Sequence, residues 1–414
     1  MRVTIVGINY APEVTGIAPY TTGIAEGLAT RGHDVTVITG VPHYPQWRVA
    51  DQYRGVRRRT ESAAGVTVHR VGHHVPTEHS NRGRIRMEAS FGTAAATHKW
   101  DDPDVVIVIS PALLSAAAVV LRARLSRVPV GVVVQDVYSK GVVETGAAGG
   151  RSAAATARLE SAVLRMADAV AVIHPRFADP LAEIGVDTGD LEVIRNWTHI
   201  ADEAPVSGPA AVRQKFGWRP DETVVLHTGN MGVKQGLENV IAAAAVAESG
   251  HPHRGGMRFV LIGDGNQRAM LDDLARDTPT VQLIDPLPGD EFRAALSAAD
   301  ILLVNERAGV GEMAVPSKLT SYFIAGKPIL AATDPTSGSA DELRASGAGL
   351  VIPPGDPHAL VESVRQLAGD EQSRQQFAGR GAAYARERLS ASNAVARYEK
   401  WITGLAHRRR DNAA

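Results

Sequence analysis

Residues 223–236 read Thr223-Val-Val-Leu-His-Thr228 followed by Gly229-Asn-Met-Gly-Val-Lys-Gln-Gly236: a short apolar strand running into a loop with three glycines in eight positions. An apolar-periodic segment, Leu237–Glu248, comes next and predicts a helix. The chain opens with the same grammar. Residues 3–9 read as a buried strand, Tyr10–Gly16 as a Gly/Pro-rich loop, and Thr21–Arg31 as a helix ending at Gly32, a plausible C′ glycine. A chain that starts over halfway predicts two doubly wound α/β domains. Ligands of such sheets sit beyond the carboxyl ends of the strands, so two facing edges are expected to enclose a cleft.

The spacing of Val/Ile-rich runs extends this reading. In the first half strands are predicted at Val3–Ile8, Val35–Thr39, Val66–Arg70, Val105–Ser110, Val130–Gln135, Ala169–Ile173 and Leu191–Ile194. The second half predicts them at Val224–Thr228, Arg258–Ile262, Val281–Ile284, Ile301–Val304, Pro328–Ala331 and Gly349–Ile352. Near-continuous apolar runs of this kind belong to parallel sheets buried on both faces. Helices are expected at Asn266–Arg276, Gly289–Ala299 and Lys318–Ala325, and the stretch 202–209 reads as the linker. A final helical stretch, Ala382–His407, carries Tyr398 and Trp401 and is expected to pack back on the first domain.

Composition narrows the function classes. At 414 residues and 44% apolar content the chain can build full cores, and the length suggests roughly two to four domains. A net charge of −1 gives no overall attraction to nucleic acid. With no cysteine, disulfides, thiolate metal sites and a cysteine nucleophile are excluded. Met1 runs directly into a strand and no apolar run reaches the roughly 18 residues of a spanning helix. The expected location is therefore the cytoplasm, with any membrane contact peripheral, at the inner face of the plasma membrane.

Several segments carry candidate chemistry. In Gly229–Gly236 the backbone N–H groups of Gly229, Asn230, Gly232 and Gly236 can approach an anion, the following helix adds its positive end, and Lys234 supplies a full charge. The bland alternative is a tight turn with a solvated lysine. Gly263-Asp-Gly265-Asn-Gln-Arg268 holds two-thirds of a dinucleotide fingerprint, with Asp285 about 20 residues on where a ribose-binding acid would stand. Its third glycine is Arg268, so an ordinary strand-to-helix turn is the stronger reading. Pro316-Ser317 before Lys318 and Leu319 reads as a helix start capped by Ser317, a second anion seat. Asp136, at the carboxyl end of a buried strand, is placed for a general base or acceptor-binding acid, or caps the next turn.

Two clusters read as less specific. His69, His73, His74 and His79 match no common zinc spacing and are expected to be solvated loop histidines. Arg82, Arg84 and Arg86, beside Met87, Phe91 and Trp100, form a basic–apolar mixture suited to lipid phosphates. A solvated basic face is the equal alternative, there and at Arg57-Arg58-Arg59.

Together these segments resemble the GT-B glycosyltransferases of family 4, in the branch of bacterial capsule and lipopolysaccharide enzymes that includes colanic-acid and fucosamine transferases. The resemblance rests on Asn9–Gly16, Arg31-Gly-His-Asp-Val35, Val134-Gln-Asp136, Gly229–Gly236, Pro316-Ser-Lys-Leu319 with Ala325-Gly-Lys-Pro328, and Gly349–Gly355. It implies a retaining, metal-independent hexosyltransferase with no separate cofactor. Its donor would be a UDP- or GDP-linked sugar and its acceptor a lipid-linked glycan or polysaccharide. Residues 1–195 would bind the acceptor, 196–381 the donor, and 382–414 would return to the first domain. Gly16 would approach the donor diphosphate and Asp136 would lie near the acceptor hydroxyl. Gly229, Asn230, Gly232, Lys234, Gly236, Gly263, Glu306, Glu312, Pro316, Ser317, Lys318 and Leu319 would form the donor site.

Two departures stand out. Asn230 replaces the arginine that usually follows the first loop glycine, and the Glu-x7-Glu pattern is absent, its places held by Met313 and Ser321. Glu306 or Glu312 is left to replace the first acid. Two rivals share the architecture, a nucleotide-sugar 2-epimerase and a non-catalytic nucleotide-sugar-binding subunit. The first needs clustered acids and a histidine around the sugar, for which no clear set is visible.

Overall fold

The computed structural model describes residues 1–14, 16–77, 80–139, 150–198, 207–249, 256–309 and 317–411. Glu312, Pro316, His79 and most of the predicted linker lie outside them. The chain divides into two compact units, 1–197 with 391–414, and 198–390.

The first unit is built on an eight-stranded sheet in the order β3-β4-β2-β1-β5-β6-β7-β8. Its strands are β1 Arg2–Val6, β2 Asp34–Gly40, β3 Arg58–Ala63, β4 Val66–Val71, β5 Val105–Ser110, β6 Val130–Val134, β7 Ala169–Val172 and β8 Glu192–Val193. All pair in parallel except β3, which runs antiparallel to β4 at the edge. Sequence periodicity does not reveal β3. Its residues, Arg-Arg-Thr-Glu-Ser-Ala, are mostly exposed, so no apolar alternation marks it. Charged, exposed residues are what an edge strand uses to resist pairing with another chain, and the arginine run ends on this edge, with Arg59 and Arg70 both paired to Glu61.

The second unit carries six parallel strands in the order β11-β10-β9-β12-β13-β14. These are β9 Thr223–Thr228, β10 Met257–Ile262, β11 Val281–Ile284, β12 Ile301–Asn305, β13 Ile329–Ala332 and β14 Gly349–Ile352. Every strand predicted in this half is present within a residue or two. Alternate residues feed opposite faces: Leu302 and Val304 join one core, Ile301 and Leu303 the other. Helix Glu238–Ser249, after β9, supplies Val240 and Ala244 to the second of these cores, while helix Ser317–Ile324, after β12, supplies Leu319, Tyr322 and Phe323 to the first. Strand order therefore reverses between β9 and β12, and likewise between β1 and β5 in the first unit. Such switch points leave a crevice at the carboxyl edge of the sheet.

The terminal helical stretch divides where a single helix from 382 was expected. Helix Glu371–Arg388 stays in the second unit, and the chain breaks at Leu389 and Ser390. Helix Ala391–Asp411 belongs to the first unit, where Val395, Tyr398, Ile402 and Leu405 join Tyr20, Ile24 and Leu28 of helix Ala18–Thr30 in one core. Close approach of the two helices requires a glycine: a Cβ on Gly27 would fall 2.5 Å from Val395. Glu399 fixes the register by pairing with Arg31 and His33, each at 3.0 Å. Both partners belong to the Arg31–Val35 motif.

Ile402 is fully buried in this core. Ile402→Ala removes its side chain without a small group able to fill the gap and should cost about 2–5 kcal/mol. Chemical denaturation followed by circular dichroism should show a lower midpoint for the first unit's transition.

Candidate donor and acceptor sites

At the β9/β12 switch point the loop after β9 is stitched to the loop after β10. Gly229 N–H donates to Ile262 O (2.8 Å), Met231 N–H to Asp264 O (2.8 Å) and Gln267 N–H to Met231 O (2.9 Å). Gly263 allows this contact: at φ +152°, a Cβ there would fall 1.8 Å from Gly229 O. The two glycines of Gly263-Asp-Gly265 thus serve loop packing. Arg268 donates to Gly263 O (2.9 Å) and Ile284 O (3.3 Å) and lies 3.3 Å from Asp285, occupying the acid that a ribose would need.

The glycine loop does not run directly into its helix. Val233–Gln235 form one 3₁₀ turn, Gly236 turns left-handed at φ +55°, and the α-helix starts at Glu238. Lys234 therefore stands on the 3₁₀ turn, exposed, with its carbonyl accepting from Arg307 N–H (2.9 Å). Asn230 turns its amide inward toward Gln235 Oε1 (3.5 Å), which also accepts from Gly232 N–H (3.1 Å). Asn305, buried at the end of β12, straps the loop from below. Its Nδ2 donates to Gln235 O (2.7 Å) and Gly236 O (2.9 Å), and its Oδ1 accepts from Asn239 (2.9 Å). An asparagine ending an apolar strand was the only sequence signal for this strap.

Lys318 approaches the start of the same loop. Its Nζ lies 3.9 Å from where a Gly229 Cβ would stand and 3.1 Å from His227 Nε2. Burial pulls the Lys318 pKa down to about 7, opposed by the negative charge of Glu306. The Glu306 carboxylate is itself held by Ser339 Oγ (2.7 Å) and the Thr333 hydroxyl. Lys318 is thus half-buried, whereas Lys234 is exposed. The helix that carries Lys318 spans Ser317–Ile324. Leu319 is fully buried in the core, so its side chain faces away from any ligand.

In the first unit a cavity of about 330 Å³ opens at the β1/β5 switch point. Gly7 and Asn9 after β1, Gly16, Tyr44 and Trp47 line it together with Arg84 and Glu88 of helix Asn81–Ala96. Buried Glu13 shapes this wall, accepting from His43 N–H (2.8 Å), Tyr44 N–H (2.8 Å) and Asn9 Nδ2 (2.9 Å). Glu88, whose pKa burial raises, accepts from Tyr138 Oη (3.1 Å), Leu114 N–H (3.1 Å) and Arg84 Nε (3.2 Å). Asp136 is exposed two residues past β6 and does not line the cavity. The turn after it is pinned by Glu160, which accepts from Tyr138 N–H (2.8 Å) and Ser139 N–H (2.9 Å).

The two less specific clusters change character. His69 lies on β4, bonded to Thr60 (2.9 Å), and the His73 ring packs against His43 and Phe91. His69 and His73 are thus packed, His74 is an exposed loop residue as expected, and among the described residues no group of three ligands is placed to hold a metal ion. Arg84 lies over the Tyr138 ring (4.5 Å). Met87 and Phe91 are buried and Trp100 packs partly buried on the core, while Ile85, absent from that expectation, is 54% exposed beside Arg82 and Arg86. Among the described residues no helix is long and apolar enough to cross a membrane.

Known proteins match along both units. The family described as Glycosyl transferase 4-like domain matches residues 15–197, and Glycosyl transferases group 1 matches residues 210–384. The WcaI protein of Escherichia coli (strain K12), named as a colanic acid biosynthesis glycosyl transferase, is 31% identical over 380 residues, 88% of this chain and 92% of its own. A GDP-mannose-dependent alpha-mannosyltransferase of Mycobacterium tuberculosis (strain CDC 1551 / Oshkosh) is 26% identical, covering 90% of this chain and 89% of its own. Among solved structures, sucrose-phosphate synthase from Thermosynechococcus elongatus superposes with TM-score 0.72 at 17% identity over 98% of both chains. Anabaena Alr3699/HepE in complex with UDP gives 0.71 at 15% identity, over 98% of this chain and 100% of that one.

The state of Lys318 generates a pH prediction. Below about pH 7 it is an ammonium; above, it sheds its proton unless an anion restores the charge. Affinity for UDP or GDP should therefore fall as pH rises from 6 to 8.5, with proton uptake on binding above pH 7. Calorimetry in buffers of different ionisation enthalpy measures both, and Lys318→Met should flatten the profile.

Proposed function

This chain belongs to the GT-B glycosyltransferases of family 4 that build bacterial glycans, and from that premise we propose that it moves a hexosyl group from a UDP- or GDP-linked sugar to a lipid-linked or polysaccharide acceptor. The observation that carries this reading is Lys318, half-buried at a sheet switch point against the backbone of Gly229. Breaking the sugar–phosphate bond puts negative charge on the departing diphosphate. Donors fixed in place before the reaction stabilise that charge most. Lys318 supplies a full charge, the N–H groups of the loop 229–236 add fixed dipoles, and Lys234 brings a second cation from the exposed turn. Charge neutralisation by lysines removes the need for a divalent metal, and the anomeric configuration is retained.

The first-unit cavity would hold the acceptor. Tyr44 and Trp47 offer ring faces to a sugar, and Arg84 and Glu88 offer charged hydrogen-bonding groups. Asp136, outside that cavity, keeps a role at the acceptor hydroxyl only if the acceptor extends past it. Arg82, Ile85 and Arg86 offer a small basic and apolar face to anionic lipid at the inner surface of the membrane.

Two experiments test this reading. Full-length protein incubated with radiolabelled UDP- and GDP-sugars and a lipid-linked glycan extract should transfer label in the presence of EDTA. Lys318→Met and Lys234→Met should each lower kcat by about 10²–10³, roughly 3–4 kcal/mol of transition-state stabilisation, with a smaller rise in donor KM. Near-normal turnover in both variants would remove the donor site from this loop. For the membrane contact, the protein should co-sediment with anionic but not neutral liposomes, and Arg82→Glu with Arg86→Glu should abolish that difference.

A further inference from the structure

A histidine inside an apolar strand is usually a core residue with one satisfied nitrogen. His227 has no solvent exposure and lies between Leu226 and Thr228 on β9. Its surroundings give both nitrogens a task. Pairing between β9 and β12 ends at Leu226 and Leu302, because the two strands part at the switch point. Beyond that point the Leu303 carbonyl has no strand partner on the β9 side, and side chains fill it. His227 Nδ1 lies 3.1 Å from Leu303 O, and Tyr322 Oη donates to the same carbonyl at 3.3 Å. A carbonyl only accepts, so Nδ1 carries the proton and Nε2 carries the lone pair. That lone pair faces Lys318 Nζ at 3.1 Å.

We propose that His227 is a positioning residue for the diphosphate-binding cation: its Nε2 accepts one N–H of Lys318 and aims the ammonium at the Gly229 loop. The inference rests on the reading of Lys318 as the cation that meets the donor diphosphate. Among the described residues, two groups act on Lys318. His227 faces it from β9 and Glu306 acts on it from the end of β12. Tyr322, one turn on along the same helix, is engaged with Leu303 O and with Thr228 N–H (2.9 Å). Burial and the nearby ammonium keep His227 neutral well below its ordinary range, so it stays an acceptor at working pH. One N–H held by imidazole leaves two for phosphate oxygens. It also restrains a flexible four-carbon side chain before the ligand arrives, so less freedom is lost on binding. The hydrogen bond favours the charged form of the lysine.

The test uses full-length protein and the nucleoside diphosphate, UDP or GDP, that binds the wild type. His227→Leu removes both bonds. His227→Asn keeps a donor short enough for Leu303 O but too short to reach Lys318, which separates positioning from mere core packing. Both variants should bind the nucleotide about tenfold more weakly at pH 7 and move the alkaline loss of affinity about one pH unit lower. Neither should weaken binding further when added to Lys318→Met, as expected of two residues acting as one unit. If the folded variants keep the wild-type affinity and pH midpoint while Lys318→Met weakens binding, His227 is structural and the proposal fails alone. If Lys318→Met itself binds like wild type, the donor-site reading fails and this proposal with it.

Discussion

Where two neighbouring parallel strands send their helices to opposite faces of a sheet, they can part before their ends. That happens between β9 and β12. At β9/β12 the ladder stops at Leu302, and everything beyond it must be satisfied by other groups. Leu303 O takes a histidine and a tyrosine, Asn305 takes two loop carbonyls, and Gly229 leans on the neighbouring strand's loop. A buried backbone group left without a partner costs as much as a lost hydrogen bond. The cluster that answers this demand is the same one that brings Lys318 to the loop. Structural satisfaction and anion binding draw on one network there.

The first unit ties its loops with carboxylates. Glu13, Glu88 and Glu160 are each buried, and all three accept backbone N–H groups from the segments that bound the crevice or follow Asp136. The walls of the cavity are thereby tied together without a disulfide, in a chain that has no cysteine.

Much of this architecture is legible in the sequence, and unevenly so. Strands buried on both faces announce themselves as apolar runs, which is why β9 to β14 fall where periodicity puts them. The edge strand β3 is invisible because it buries almost nothing. Glycines of the β9 loop are readable as close-approach positions, yet the 3₁₀ turn at Val233–Gln235 is not, since it depends on Asn305 seventy residues away. Side-chain direction is the weakest inference. Leu319 sits next to Lys318 in sequence and points into the core, and the Arg82–Arg86 stretch loses Arg84 to Tyr138. His227 and Glu88 escape notice because each lies in an otherwise apolar or helical pattern whose partners are distant.

The return of residues 391–411 to the first unit bears on the order of folding. The core beneath helix Ala18–Thr30 is closed by Val395, Tyr398 and Ile402, which are synthesised only after both sheets. Residues 198–390 can complete their own sheet as they emerge, whereas the first unit waits with one apolar face uncovered. Pairings of such high sequence separation are slow to form and leave hydrophobic surface exposed meanwhile. A nascent chain halted just short of Ala391 would thus present a finished second unit beside an unfinished first one, the form most in need of a chaperone.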